Sequence, residues 1–558
     1  MKIVKAKKIY TVDADFTTGT GLVMNEGKVV EVGDFDELLT KYEGEVDYSY
    51  SEQYIYPGFV EPHCHGIFSS IVFGAGPLID FKKWDFGKYG HYPACLSHDE
   101  MMKRLKESFA EGGRENYIFY GYNKQYHGEI TRKELDEMMP DAPVVLLHST
   151  GHGAIFNTVG MKKFGFDQRD KNTYGCGLNE DGDYNGVFTE AAYMPFMGSF
   201  YQQVNTPEVL EEGRKKFLEN AKIHGVIAVS EYMGGASAGL YPELDFYTKL
   251  ATNEYPVHVS FLINFQNSLI RNENDADKTF EEIQSLLKKY DHENFKFMKA
   301  LKFFFDGAVI DHQIKLSEPL TNGYSDDWNY KFLNHDIDTF VNDVKRYWEN
   351  GYDFYVHSQG DESQITFAKK IKELLELYPR EDYIASIQHF AFEDDEFFQF
   401  VKESDLHLQI SALPRYMDVW NKWKEAGLYP DKFLTKEFLR LKDVLDDSEH
   451  FHLSFHSDAM NNPTTPLYEV YKAVTRRDIN DHLINDDPSQ CIDVQSGLKA
   501  ITIEAAKQNR NEDQFGSLEP NKRASFVVFD NDFMNGDADL LKQPVKHLVM
   551  DGKEVPFS

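Results

Sequence analysis

Two histidines one residue apart close the run Tyr56-Pro57-Gly58-Phe59-Val60-Glu61-Pro62-His63-Cys64-His65. In a strand, positions two apart face the same side, so His63 and His65 converge while Cys64 turns away. Neutral imidazole is a metal ligand, and two at one strand tip can hold a single divalent ion. Among 20 histidines such a pair is weak by itself; its company gives it weight. His357 ends Phe354-Tyr355-Val356, His389 follows Gln388, and Asp458 follows Phe455-His456-Ser457. Each stands at the C-terminal end of a predicted strand. A buried histidine bonded to a carbonyl is the plain reading of any one of them, but four such placements favour a shared site. Lys302 adds a separate argument, because Ala300-Leu301-Lys302-Phe303-Phe304-Phe305-Asp306 reads as a buried strand with Lys302 and Asp306 on one face. Burial lowers a lysine's pKa and makes the neutral amine available for covalent modification. The same residues also admit an ion pair between Lys302 and Asp306, or a slipped register that leaves Lys302 in solvent.

Positioning these groups needs elements whose ends meet. Predicted strands end near Phe59, Val229, Phe305, Val356, Gln388, Ile410 and Phe455, with 144–147 as a further candidate, and amphipathic stretches such as 362–377 alternate with them. That alternation predicts an α/β fold, a (β/α)8 TIM-like barrel in which all strand ends converge at one mouth. Residues 68–199 are too long for a βα connection and predict a cap inserted after the first strand. Short strands near 3–4, 8–12, 21–25 and 28–32, and again near 525–529 and 545–550, predict one small β-sandwich domain built from both termini. The expected division is therefore 1–57 with 508–558 for the sandwich and 58–507 for the barrel.

Composition narrows the function classes. A formal charge of -33 over 558 residues repels phosphate backbones and anionic lipid, so neither nucleic acid nor a membrane is expected as a partner. The four cysteines form no CxxC pair, which fits a reduced, cytoplasmic compartment. No stretch approaches the roughly 20 apolar residues of a membrane span, and the start MKIVKAKKIY has no apolar leader. Aromatic residues at 14% read as core filling and ordinary surface.

The segments PGFVEPHCH (57–65), GHGAIFNT (151–158), GVFTEAA (186–192), LKFFFDG (301–307), VHSQGD (356–361), IQHFA (387–391), HSDA (456–459) and GSLEPNKRASFVVFD (516–530) span nearly the whole chain. Together they resemble the amidohydrolase superfamily, and within it the YtcJ-like branch that includes N-substituted formamide deformylase. The resemblance implies a barrel with a β-sandwich and one or two divalent metals, commonly zinc, at the mouth. It implies that His63, His65 and Asp458 bind the first metal and His357 and His389 the second, with a carboxylated Lys302 between them. With one metal, His389 instead orients the water and Lys302 stays unmodified. The implied reaction is hydrolysis of a carbon-nitrogen bond in a small-molecule substrate, an N-substituted amide or formamide, by metal-activated hydroxide with Asp458 as general base and then acid. A deaminase or a cyclic amidohydrolase would use the same site. His152 and Glu190 lie in matching segments of the cap, as substrate-facing groups or as structural ones. Self-association is also implied.

Three departures from the family pattern stand out. Glu61-Pro62 precedes the first histidine where Asp and a small residue are usual, which predicts altered packing behind the ligands. His456 replaces a glycine on the strand face that carries Asp458, where it is expected to shape the pocket or contact substrate. Residues 308–313 replace a Gly-Ser-rich stretch after the fourth strand.

The sequence also admits two rival readings. Gly235-Ala236-Ser237-Ala238-Gly239 matches the GxSxG elbow of serine hydrolases, with Ser237 as nucleophile; Leu240-Tyr241-Pro242 is expected to keep a helix from following directly. A barrel retained only as a non-catalytic binding protein is the other. HExxH and P-loop signatures do not occur.

Overall fold

Eight segments rich in β-branched and aromatic residues, almost continuously buried, form parallel strands, as strands covered on both faces must. They are Phe59–Cys64, Val226–Gly234, His258–Asn264, Phe295–Phe304, Asp353–Ser358, Ala385–His389, Leu408–Ala412 and Phe451–Phe455. Each pairs in parallel with the next in chain order. This is a computed structural model, and it describes residues 1–252, 255–320, 337–427 and 429–557. The eight strands nearly close into a barrel. At the seam, the Glu61 carboxylate accepts the Ser457 N–H at 3.1 and 3.2 Å, and the Val60 N–H donates to the Ile501 carbonyl at 2.9 Å. Glu61, the residue that departs from the family pattern, thus stitches the first strand to the loop after the eighth.

One strand assignment needs correcting. The segment Val144–His148 is a strand but belongs to another sheet, and the third barrel strand is His258–Asn264. In the latter His258, Ser260 and Asn264 alternate with Val259, Phe261 and Ile263, which masks a fully buried strand behind a half-polar pattern.

Residues 65–225 lie between the first and second strands. The helix Gly66–Ala75 begins directly after His65 and packs on the helix Pro207–Ile223, which returns the chain to the second strand. Between them stands a five-stranded sheet in the order Cys176–Leu178, Tyr184–Thr189, Gly153–Phe156, Val144–His148, Tyr117–Tyr122. Only the last pair is parallel, and the sheet has its own apolar core around Met101, Leu105, Phe119 and Leu146.

Both chain ends join one seven-stranded sheet, with Glu45–Pro57 central between Lys2–Tyr10 and Phe526–Phe529. The sheet rolls on itself. Val29 at its far edge exchanges backbone bonds of 2.9 Å with Asn521 and Lys522, enclosing Val4, Ile9, Leu22, Ile55, Phe526 and Val549. The strand Glu45–Pro57 runs into the barrel through Gly58, where a Cβ would stand 2.4 Å from an Ile227 methyl. Only glycine fits that crossing.

Candidate metal centre

The first strand ends at Cys64, and its alternation sends His63 and His65 to the same side with ring centroids 5.2 Å apart. Asp458, just past the eighth strand, brings its Oδ1 to 3.3 Å from His63 Nε2 and 3.1 Å from His65 Nε2. These three ligand atoms lie within 4.8 Å of one another. The far nitrogens are already committed. His63 Nδ1 donates to Gln388 Oε1 at 2.7 Å, and His65 Nδ1 donates to Glu231 Oε1 at 3.2 Å. Gln388 is held by Ser386 at 2.6 Å, and Glu231 by the Met233 N–H at 2.7 Å and by the Tyr247 hydroxyl. Such outer bonds fix ring orientation and leave both Nε2 atoms toward Asp458.

Buried atoms without a hydrogen-bond partner mark the same spot: His63 Nε2, Asp458 Oδ1, Lys302 Nζ and His389 Nε2 among the described residues. Orphaned polar atoms in an interior cost free energy unless something binds them. Two imidazole nitrogens and a carboxylate oxygen are a donor set that fits a divalent ion such as zinc. Burial, with Lys302 nearby, holds His63 and His357 well below the ordinary imidazole value, and burial with His357 nearby does so for His389. All three are neutral, the form that coordinates. Burial opposes charge on His65 too, but Asp458 and Glu231 outweigh it and hold it at about 9. Burial likewise opposes the Asp458 carboxylate, yet His389, His65 and His63 keep it well below the usual range.

Lys302 lies on the fourth strand, 1% exposed, with its ammonium 5.3 Å and 5.6 Å from the Phe304 and Tyr232 ring centroids. Burial pulls it down to about 7 against the pull of Asp458. The alternatives left open by its sequence do not hold: Lys302 is not in solvent, and Asp306 is not its partner. Asp306 instead takes the Gln359 and Gly360 N–H groups at 3.0 and 2.8 Å and the Ser363 hydroxyl at 2.6 Å, capping the helix Asp361–Leu377.

His357, on the fifth strand, donates from Nε2 to the Gly307 carbonyl at 3.0 Å and has its ring 4.3 Å from that of His389. Neither of the two tight ligand groups includes His357; the second comprises His63, His389 and His456. In that group both His456 nitrogens are engaged, Nδ1 with Ser411 Oγ at 3.0 Å and Nε2 with His389 Nδ1 at 3.1 Å. His456 stacks on His63 at 4.7 Å. It does not line the cavity but sits behind the ligands, so the geometry gives no substrate contact for it.

The cavity over the centre is lined by His63, His65, Lys302, His357 and Asp458 below and by Phe68, Met197, Met233, Phe304 and Met460 on its walls, with His152 above. It holds about 20 Å³ measured to water centres, room for one or two small molecules the size of water. His152 Nδ1 bonds Glu190 Oε1 at 3.1 Å, so the inserted segment delivers a buried pair over the barrel mouth, its ring 5.6 Å from His357. Three site residues have left-handed backbones, Glu190 at φ 40°, His389 at 85° and Asp458 at 53°. Such conformations cost about 1–3 kcal/mol each and gather at functional positions.

Sequence reasoning did not find Gln388, Glu231, Tyr247 or Asn461, whose amide donates to Asp458 Oδ2 at 2.5 Å. Their signal was slight: Gln388 adjoins a ligand candidate, and Glu231 is an acid inside an apolar strand. Ser237 is also settled by position. The helix Leu240–Ala251 follows its loop at once, contrary to the expectation that Pro242 would block it, because proline is tolerated in a first turn. Glu243, not a histidine, gathers the Gly235, Ser237 and Ala238 N–H groups, and Ser237 does not line the cavity.

The sequence pattern of the amidohydrolase family matches residues 52–556. The chain belongs to the amidohydrolase family. It is 22% identical to the YtcJ protein of Bacillus subtilis, with 98% of each chain covered. It is 20% identical to N-substituted formamide deformylase of Arthrobacter pascens, over 94% of this chain and 92% of that one. Among solved structures, an uncharacterized metal-dependent hydrolase from Pyrococcus horikoshii OT3 superposes with a TM-score of 0.69 at 19% identity, covering 96% of this chain and 99% of that one. A second, from Pyrococcus furiosus, gives 0.67 at 21%, with 96% and 100% covered. The two solved structures agree with the barrel fold. No helix among the described residues is long and apolar enough to cross a membrane.

Proposed function

We propose that this amidohydrolase hydrolyses the carbon-nitrogen bond of a small N-substituted amide or formamide, with a divalent metal, zinc by preference, at His63, His65 and Asp458. The observation that carries the reading is the convergence of those three ligand atoms, with outward nitrogens bonded to Gln388 and Glu231. A bound divalent ion would polarise the substrate carbonyl and lower the pKa of water from about 15.7 toward about 7. Asp458, its Oδ2 anchored by Asn461, takes the proton of the attacking water and returns it to the departing nitrogen. His357 and His389, their rings 4.3 Å apart, would hold a second ion. The neutral lysine amine, accessible because burial holds it at about 7, is the form that could add carbon dioxide, with loss of a proton, and as a carbamate would supply an anionic oxygen ligand. His152, oriented by Glu190, faces the substrate from the cap side.

The substrate class rests on the walls. Methionine and phenylalanine side chains suit an apolar N-substituent. The distant likeness to a formamide deformylase points the same way. Residues 58–507 form the catalytic unit in this reading, 68–199 its cap, and 1–57 with 508–558 the terminal unit. The four cysteines are unpaired, in keeping with a cytoplasmic setting.

Metal analysis of the purified protein, with amine release measured from N-alkyl formamides, N-alkyl acetamides and cyclic amidines, tests the proposal. It expects stoichiometric divalent metal, turnover of the formamides, loss on chelation and recovery with zinc. Metal-independent turnover, or turnover of amidines alone, contradicts it.

A further inference from the structure

We infer that His456 is a positioning residue that sets the tautomer of His389, so that His389 keeps its proton on Nδ1 and its lone pair on Nε2, the nitrogen left free to bind a metal. The inference rests on the proposed metal-dependent reading and concerns a residue that stands where the family usually carries glycine.

Three observations fix the direction of the hydrogen bonds. His456 Nε2 and His389 Nδ1 are 3.1 Å apart, so one of the two nitrogens must carry the proton. Asp458 Oδ2 lies 3.8 Å from the same His389 Nδ1, and a carboxylate that close favours the proton on His389. His456 Nδ1 has a separate partner, Ser411 Oγ at 3.0 Å, able to accept its proton. The chain therefore runs His389 Nδ1–H to His456 Nε2, then His456 Nδ1–H to Ser411. His389 Nε2, buried and without a hydrogen-bond partner among the described residues, is left as the lone-pair nitrogen. Parallel stacking of the His456 ring on His63, 15° from coplanar at 4.7 Å, locks both rings in place. With glycine at 456, neither the acceptor for His389 nor the stacking surface would exist. A neutral imidazole here does what an outer carboxylate does for His65.

The test compares His456→Gln, His456→Leu and Ser411→Ala with wild type, reading zinc affinity of the metal-free proteins by chelator competition, together with their thermal stability. Gln places Oε1 where Nε2 stands and still accepts from His389, so it should keep affinity within about threefold. Leu fills space but accepts nothing and should lose about 10- to 100-fold, the usual effect of removing an outer partner of a metal ligand. Ser411→Ala frees the His456 tautomer without touching the centre and should lose a few-fold. Equal affinity in the Gln and Leu variants overturns the inference, since packing alone would then explain the residue. If the Leu variant does not fold, the Gln and Ala variants decide: an Ala variant binding as tightly as wild type overturns it. Wild-type protein that binds no zinc would overturn both this inference and the functional reading, whereas zinc-binding wild type with indifferent variants would overturn this inference alone.

Discussion

At the scale of single residues, the centre is a set of imidazole and carboxylate donors whose charge states are set by their own surroundings. His63 and His65 share Asp458 as a third donor, and among the described residues no other acidic side chain pairs with their Nε2 atoms. Cys64 between them is buried on the opposite face, where burial raises its thiol far above the ordinary value and leaves it unreactive. Replacing His63 and His65 together by alanine should therefore abolish metal content and hydrolysis. Cys64→Ser should retain both, with stability lowered by about 1 kcal/mol or more for an extra buried hydroxyl. Retained metal in the double variant, read by elemental analysis, would place the ion elsewhere. The ligand candidates were legible because a two-residue period, a barrel's common mouth and strand-end positions are written directly in sequence. Gln388 and Glu231 were not, because no spacing rule says which polar group in a neighbouring strand will reach a given imidazole nitrogen.

At the scale of elements, the seven apolar runs read from the sequence became barrel strands, while the eighth was hidden by its own polar residues. His258 opens that third strand at the end of the barrel away from the site. It is 4% exposed, with both ring nitrogens lacking a hydrogen-bond partner among the described residues and its ring edge-on to Phe515 at 4.9 Å. Burial, with Arg523 and Lys296 adding repulsion, pulls its pKa down to about 3. The unfolded chain protonates this histidine near the ordinary value of about 6.5. Below that pH the unfolded state binds a proton that the folded state refuses, so stability present above about pH 6.5 is lost as pH falls toward 3. Each pH unit is worth at most about 1.4 kcal/mol, hence on the order of 2 kcal/mol between pH 6.5 and 5. His258→Phe should match or exceed wild-type stability near pH 8, and the gap in melting temperature should widen near pH 5. A gap independent of pH would mean that the imidazole finds a way to charge in the folded state. The strand at 144–148 was misplaced for the converse reason: an apolar run states burial, not which sheet supplies the burial.

At the scale of the whole molecule, the inserted unit is not appended to the barrel but closes it. Its Tyr120 hydroxyl donates to the Met460 carbonyl at 2.7 Å, its Tyr126 hydroxyl to the Asp418 carbonyl at 2.7 Å, and its Gln125 amide to the Ile310 carbonyl at 3.2 Å. The most charged contact is Asp311, in the stretch that departs from the family pattern, which takes His148 Nδ1 at 3.1 Å and the Thr150 hydroxyl. Burial opposes the charge on Asp311, but His148 and Thr150 more than offset it and hold its carboxyl below the ordinary range. Because the cavity beneath has room for little more than a water or two, a substrate enters only if this polar seam parts, and polar seams part more readily than apolar ones since water can replace the lost partners. Asp311→Ala removes two of these bonds, about 2 kcal/mol of local closure, which corresponds to roughly 30-fold faster opening. Hydrogen exchange followed by mass spectrometry should show that acceleration at 148–152 and in the strand Tyr117–Tyr122, while exchange in the terminal sheet stays unchanged. Uniform acceleration across all three units would instead mean that Asp311 supports global stability and that the insertion moves with the barrel as one body.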